Sequence, residues 1–185
     1  KMELIYGDYH LKTVVGEVVG MMDMAASKRG LLLKYECDET LPCRYNGDEG
    51  RIKQILINIL NNAIKFTKEG YVKISVTGGP GKRDDEELIL FQVEDTGCGI
   101  QKEDLGKIFE DFRQVDSRKN RSVEGTGLGL AIVRHLVELM GGLIDVDSVY
   151  GEGTTITITI PQKIVDQRSI AEVPEIPQTE LKYIE

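Results

Sequence analysis

Asn58-Ile59-Leu60-Asn61-Asn62-Ala63-Ile64-Lys65-Phe66-Thr67 closes an amphipathic run with three asparagines and a lysine. The run starts near Asp48, a suitable N-cap, and its apolar set Ile52, Ile55, Leu56, Ile59, Leu60 and Ala63 lies on one arc of a helix. At about 100° per residue, Asn58, Asn62 and Lys65 fall on one narrow stripe, with Phe66 and Ile55 between that stripe and the apolar arc. Asparagine is about 0.5 kcal/mol or more worse than alanine at each helical position, so a merely solvated face would avoid a cluster of them. Carboxamide oxygens are neutral, hard ligands suited to Mg²⁺, which keeps several waters and shares its shell with substrate phosphates. The stripe is therefore read as a functional face.

Downstream, two alternating runs, Tyr71 to Thr77 and Leu88 to Glu94, flank the polar segment Gly78 to Glu87 and predict a hairpin. Asp95-Thr96-Gly97-Cys98-Gly99-Ile100 follows directly. A carboxylate at a strand end, followed by glycines that allow close backbone approach, fits a planar ligand whose exocyclic amine donates to the acid. Residues 101–124 are rich in charge, with a short helical stretch near Lys102 to Lys107, and a polar segment of that length reads as a functional lid or a disordered stretch. Gly125-Thr126-Gly127-Leu128-Gly129-Leu130 then leads into a helix expected over Leu128 to Met140, which ends on Gly141-Gly142. Free amides at a helix N-terminus make a phosphate site. The spacing is G-x-G-x-G, which does not match a dinucleotide fingerprint, and no G-K-[ST] follows to make a Walker-type loop. Leu143 to Ser148 and Thr155 to Ile160 predict a second hairpin, turning at Tyr150-Gly151-Glu152-Gly153 and entering the last strand through Thr154. After Pro161 the pattern fades, and the tail with Pro174 and Pro177 has linker composition.

Upstream, Leu11, Val14, Val15, Val18, Val19 and Met22 recur at helical spacing, predicting a helix to about Lys28 stopped by Gly30. Leu31 to Glu36 reads as a strand, and Asp38 to Gly47, with Pro42 and Gly47, as a loop. The 185 residues carry 31 acidic and 23 basic side chains, a net charge of −8, and 41 % hydrophobic residues. That describes a globular piece with a core of its own. It argues against nucleic acid and anionic membrane surfaces as main partners, and no apolar run approaches the ~18 residues of a membrane helix. Cys37, Cys43 and Cys98 form no CxxC pair and are expected as reduced thiols in a cytoplasmic compartment. The first residue, Lys1, suggests an excised fragment.

Taken in this order, the four glycine and asparagine signals resemble the nucleotide-binding boxes of the catalytic ATP-binding domain of sensor histidine kinases. That superfamily also holds Hsp90, type II topoisomerases and MutL. The resemblance runs from about Asp48 to Pro161, and Phe109-Glu110-Asp111-Phe112-Arg113-Gln114-Val115-Asp116 looks like the phenylalanine box. Lys1-Met2-Glu3 resembles the end of the second helix of a dimerisation domain. The resemblance implies a Bergerat-type α/β sandwich, one mixed, largely antiparallel five-stranded sheet on three helices. It divides the chain into 1–10 (end of a dimerisation domain or linker), 11–161 (the catalytic domain, lid 101–124) and 162–185 (tail or linker).

Carried over position by position, the resemblance implies that Asn62 binds Mg²⁺ with Asn58 as companion, and that Lys65 contacts phosphate. Phe66 would lie against the adenine and Asp95 would read its amino group. Gly97, Gly99 and Ile100 match the first glycine box, and Gly125, Thr126, Gly127, Leu128 and Gly129 the second. Thr154 matches the last box, a water-bridged adenine contact, and Gln114 falls near the γ-phosphate. The implied function is donation of the γ-phosphoryl group of ATP to a histidine on a separate dimerisation domain. A response-regulator receiver domain would act downstream, in an intact protein expected as a homodimer that membrane segments could anchor. His10 and His135 lack the H-E-x-x or H-D-x-x setting of a phosphoacceptor, so the acceptor is expected outside the chain. In the superfamily's ATP hydrolases a glutamate stands four residues before the Mg²⁺ asparagine, as general base. Asn58 cannot accept a proton, which implies slow hydrolysis. A protein-serine kinase or ATPase, and a nucleotide-gated interaction module, remain as alternatives.

Overall fold

The computed structural model describes residues 3–109 and 126–173, of which 126–129 by their backbone alone. The elements follow as β1 (Gly7–His10), α1 (Leu11–Lys28), β2 (Leu32–Cys37), β3 (Pro42–Gly47), α2 (Glu49–Phe66), β4 (Tyr71–Pro80), β5 (Glu86–Asp95), α3 (Lys102–Leu105), α4 (Thr126–Leu139), β6 (Leu143–Val149) and β7 (Gly153–Ser169). The expected α/β sandwich and its mixed, largely antiparallel sheet are present, with β2–β4 the parallel pair. Among the described residues, however, the sheet has seven strands instead of five, in the order β1-β3-β7-β5-β4-β2 with β6 also on β7. One helix beyond the three long ones, α3, is a single turn.

The extra strands are β1 and β3. The segment read as a loop over Asp38 to Gly47 holds β3, because its turn residues Pro42 and Gly47 stand at the two ends while Cys43 and Tyr45 between them are fully buried. Gly7–His10 then adds to β3, stacking Tyr9 on Tyr45 with ring centroids 6.0 Å apart. The last strand, expected to stop at Ile160, continues to Ser169. One edge of β7 is paired with β5. The other edge carries two partners in series, β6 along Gly153–Thr159 and β3 along Lys163–Ser169. Pro161 falls in the gap between them, where a missing N–H breaks no ladder on that edge.

The core forms where the apolar arcs of α1, α2 and α4 meet the inward face of the sheet. It joins Leu11, Val15 and Val18, Ile52, Leu56, Ile59 and Leu60, and Val133 and Leu136 to Val72, Ile74, Phe91, Val93, Ile156 and Ile158. Asp48 caps α2, its Oδ1 accepting from the Arg51 amide at 3.1 Å while Oδ2 accepts from the Ile5 amide at 2.8 Å. Strand register places Val72, Asp95, Thr154 and Ser148 in one row across β4, β5, β7 and β6. Because side chains directly opposite one another share a face, this row continues the inward face of the sheet to its end, where polar groups replace the core. Cys37, Cys43 and Cys98 are free thiols. Among the described residues no helix is long and apolar enough to cross a membrane.

Candidate nucleotide site

Two constructions meet at that end of the sheet, the C-terminal turns of α2 and the loop after β5. On α2, Asn58, Asn62 and Phe66 are half-buried and Lys65 is exposed. Among the described residues the Nδ2 of Asn62 is buried without a hydrogen-bond partner. A buried amide donor left alone costs about 1–3 kcal/mol, so its position suits a site completed by an acceptor such as a phosphate oxygen or a metal-bound water. With carboxamide oxygen as a hard donor, Asn62 and Asn58 fit Mg²⁺ shared with phosphates. Lys65 holds its ammonium 5.7 Å from the Phe66 ring centroid. The end of α2 is held by Arg29, whose Nη2 donates to the Lys65 carbonyl at 3.1 Å, and by Thr67, whose hydroxyl donates to the Ala63 carbonyl at 2.7 Å. Ala25, Arg29, Asn61, Asn62, Ile64 and Lys65 line an open groove of about 340 Å³ beside it.

Asp95 ends β5 with its Oδ1 accepting from the amides of Gly97 at 2.9 Å and Thr154 at 3.3 Å. Among the described residues nothing donates to Oδ2. Burial pushes the carboxyl above its usual range, and the two amides draw it partway back. Both glycines of the loop are there for room. A Cβ at Gly97 would lie 2.5 Å from the Phe66 carbonyl oxygen and 2.9 Å from Asp95 Oδ1. Gly99 has φ +70° and would run into the Val149 carbonyl. The loop is thus squeezed between α2 and the β6–β7 hairpin, with Cys98 N donating to the Phe66 carbonyl at 3.3 Å and Gly151 N to the Cys98 carbonyl at 2.7 Å.

The structure therefore gathers Asn58, Asn62, Lys65 and Phe66 on one helix end, and Asp95, Gly97, Gly99, Ile100 and Thr154 on the adjoining loop and strands. Gly127 and Gly129 belong to the first turns of α4, which starts at Thr126, two residues earlier than expected. Phe112, Gln114, Gly125 and most of the lid lie outside the described residues. Ser148 and Arg29 also hold this end of the sheet together, and the sequence did not single them out. Alternation with Val146 and Ile144 could have placed Ser148 on the inward face, but only the register puts it beside Thr154. Nothing in the spacing announces that Arg29 reaches α2.

The family described as histidine kinase-, DNA gyrase B-, and HSP90-like ATPase matches residues 47–164. Hybrid signal transduction histidine kinase B of Dictyostelium discoideum is 41 % identical over 163 residues, 87 % of this chain and 8 % of that protein. Sensor histidine kinase WalK of Bacillus subtilis is 44 % identical over 117 residues, 63 % of this chain and 18 % of WalK. The chain thus spans only a small part of these curated relatives. Among solved structures, full-length ShkA in complex with AMPPNP superposes with a TM-score of 0.74 at 30 % identity, covering 89 % of this chain and 33 % of that one. The nucleotide-free catalytic domain of histidine kinase ThkA gives 0.65 at 28 % identity, covering 87 % and 97 %. The matched region takes in the asparagine helix, the Asp95 loop and the Thr154 hairpin. The chain belongs to the histidine kinase-, DNA gyrase B-, and HSP90-like ATPase family, as the catalytic ATP-binding domain of a two-component sensor histidine kinase.

Proposed function

We propose that the chain binds MgATP and donates its γ-phosphoryl group to a histidine on a separate helical dimerisation domain, from which a receiver domain would take it onward. The observation that carries this reading is Asp95, whose Oδ1 is tied to two backbone amides while, among the described residues, nothing donates to Oδ2. A half-buried carboxylate held this way is an acceptor for an exocyclic amine, as adenine presents and guanine at that position does not. Phe66 lies against the base, Asn62 offers its unpartnered amide to the phosphates, and Lys65 and the first amides of α4 add positive potential. Mg²⁺, held through Asn62 with Asn58 one helical turn before it, would neutralise phosphate charge. Asn58 has no basic atom with which to activate water, so the bound nucleotide waits for an imidazole that is nucleophilic when neutral. The likeness to ShkA in complex with AMPPNP supports the nucleotide, and the names of the relatives support the phosphoryl acceptor.

His10 supports an acceptor outside the chain, because both of its ring nitrogens are buried and have no partner among the described residues. His135 is exposed on α4, preceded by Arg134 and followed by Leu136, so the acid of an H-E-x-x or H-D-x-x setting does not follow it. With γ-labelled ATP, the chain alone should take up no label and release phosphate slowly. Added to a cognate dimerisation domain it should transfer acid-labile phosphate, weakly and in proportion to either concentration, since the two groups react from separate molecules. Stable label on the chain alone that survives His10→Ala would refute the external acceptor, and rapid phosphate release would favour an ATPase.

A further inference from the structure

Ser148 makes three contacts through one hydroxyl. The Ile100 amide donates to its Oγ at 2.7 Å, its Oγ lies 3.0 Å from the Gly153 carbonyl, and 2.9 Å from Thr154 Oγ1. A serine hydroxyl has one proton and two lone pairs. The Gly153 carbonyl can only accept, so Ser148 must spend its proton there, or two acceptors would face each other at 3.0 Å. With that proton spent and one lone pair taken by Ile100, the remaining contact is attractive only if Thr154 donates to Ser148. One arrangement of protons satisfies all three contacts, and it fixes the hydroxyl of Thr154.

From this we infer that Ser148 is a positioning residue for base selectivity: it draws away the Thr154 proton, so that Thr154 presents only lone pairs to the base beside Asp95. The register sets Asp95, Thr154 and Ser148 side by side, and Thr154 is buried with its own amide donating to Asp95 Oδ1. Asp95 Oδ2 and Thr154 Oγ1 then form an edge that accepts and never donates. Such an edge, met directly by the base, welcomes a 6-amino purine and repels a 6-oxo purine. Without Ser148 the Thr154 hydroxyl is free to rotate and donate to a carbonyl. The same residue also anchors the first glycine loop through Ile100, so its loss loosens that loop as well.

The inference rests on the nucleotide reading, and the experiment separates the two. ATP and inosine triphosphate, each with Mg²⁺, are titrated calorimetrically into the wild-type chain and its variants. Wild type should prefer ATP, and a wild type that binds neither nucleotide, or both equally, overturns the nucleotide reading and this inference together. Ser148→Ala should lower the ATP preference by about three- to tenfold, the range that one ordinary hydrogen bond is worth. Ser148→Thr keeps the hydroxyl and should retain the wild-type preference, whereas a purely structural role in the loop would make Ser148→Ala weaken both nucleotides alike and leave their ratio unchanged. Thr154→Val removes the hydroxyl that Ser148 orients, so adding Ser148→Ala to it should leave the preference where Thr154→Val alone puts it. An unchanged preference in Ser148→Ala, or additive losses in the double variant, overturns the role of Ser148 while the nucleotide site stands. If Ser148→Ala does not fold, Ser148→Cys is read in its place, since a thiol fills similar space but donates and accepts weakly.

Discussion

Asp95 faces opposite demands in the empty and the filled site. Burial raises its pKa, so the folded chain binds that proton more tightly than the unfolded chain. Its contribution to stability therefore declines as pH rises through the interval between the ordinary and the raised value. Recognition of an amine, as proposed, requires the carboxylate, so nucleotide affinity should decline in the other direction, as pH falls through the raised value. Comparing wild type with Asp95→Asn by thermal denaturation, with and without ATP, isolates the two slopes, which should have opposite signs. At neutral pH Asp95→Asn should cost about 1–3 kcal/mol of ATP affinity, because the amide can turn a donor toward an amine. Gly97→Ala should weaken ATP binding at least about tenfold, since its methyl enters the space of the Phe66 carbonyl and Asp95 Oδ1. Gly79→Ala, which meets nothing within 4 Å, is the control. At this scale the sequence was legible wherever a residue type was itself improbable, as with asparagines in a helix or glycines after a strand. It was silent on Ser148 and Arg29, ordinary residues whose partners lie across the fold and are chosen by register and helix packing.

Helix α2 is an element whose beginning and end are both tied to distant chain. Asp48 divides its two oxygens between the first turn of α2 and the amide of Ile5. Asp48→Ala should therefore cost about 1–2 kcal/mol, a cap plus a second lost acceptor, and lower the melting temperature by about 2–4 °C for each kcal/mol in a chain of this size. Asp48→Asn, which keeps one oxygen acceptor, should recover part of the loss, and equal losses in both variants would mean that charge matters more than capping. The helices were readable because their apolar arcs are long and periodic. Strands β1 and β3 were not, since four and six residues give too little alternation and their composition is that of turns. Strand β7 outruns its sequence signal at Pro161, because a proline ends strands in general but not where it sits between two successive partners.

For the whole molecule, the second half of β7 is what joins the β1–β3 ribbon to the rest of the sheet. Gln162 is buried and its Oε1 accepts from the Tyr9 hydroxyl at 2.8 Å, and Ile170 is buried beyond the strand's end. A chain cut after Pro161 should lose cooperative unfolding, because β3 and the buried pair Tyr9 and Tyr45 are left without their neighbour. A cut after Val173 keeps every β7 pair and should retain the transition, as followed by circular dichroism. Comparable melting of the two would show that the ribbon adds little.

The tandem pairing along β7 also governs how the molecule would carry a mechanical load. Strand β1 runs antiparallel to β3 and β3 antiparallel to β7, so β1 and β7 point the same way, two strands apart. A pull applied before Gly7 and after Ser169 draws these strands past each other along their length. The hydrogen bonds of β1–β3–β7 are then stressed together in shear, where a hairpin pulled from its open end would part bond by bond. Tension between the segments on either side would be borne by that corner of the sheet, away from the row of Asp95, Thr154 and Ser148. In a single-molecule stretching experiment the domain should yield in one step at high force, and Gln162→Ala should lower that force more than it shifts ATP binding.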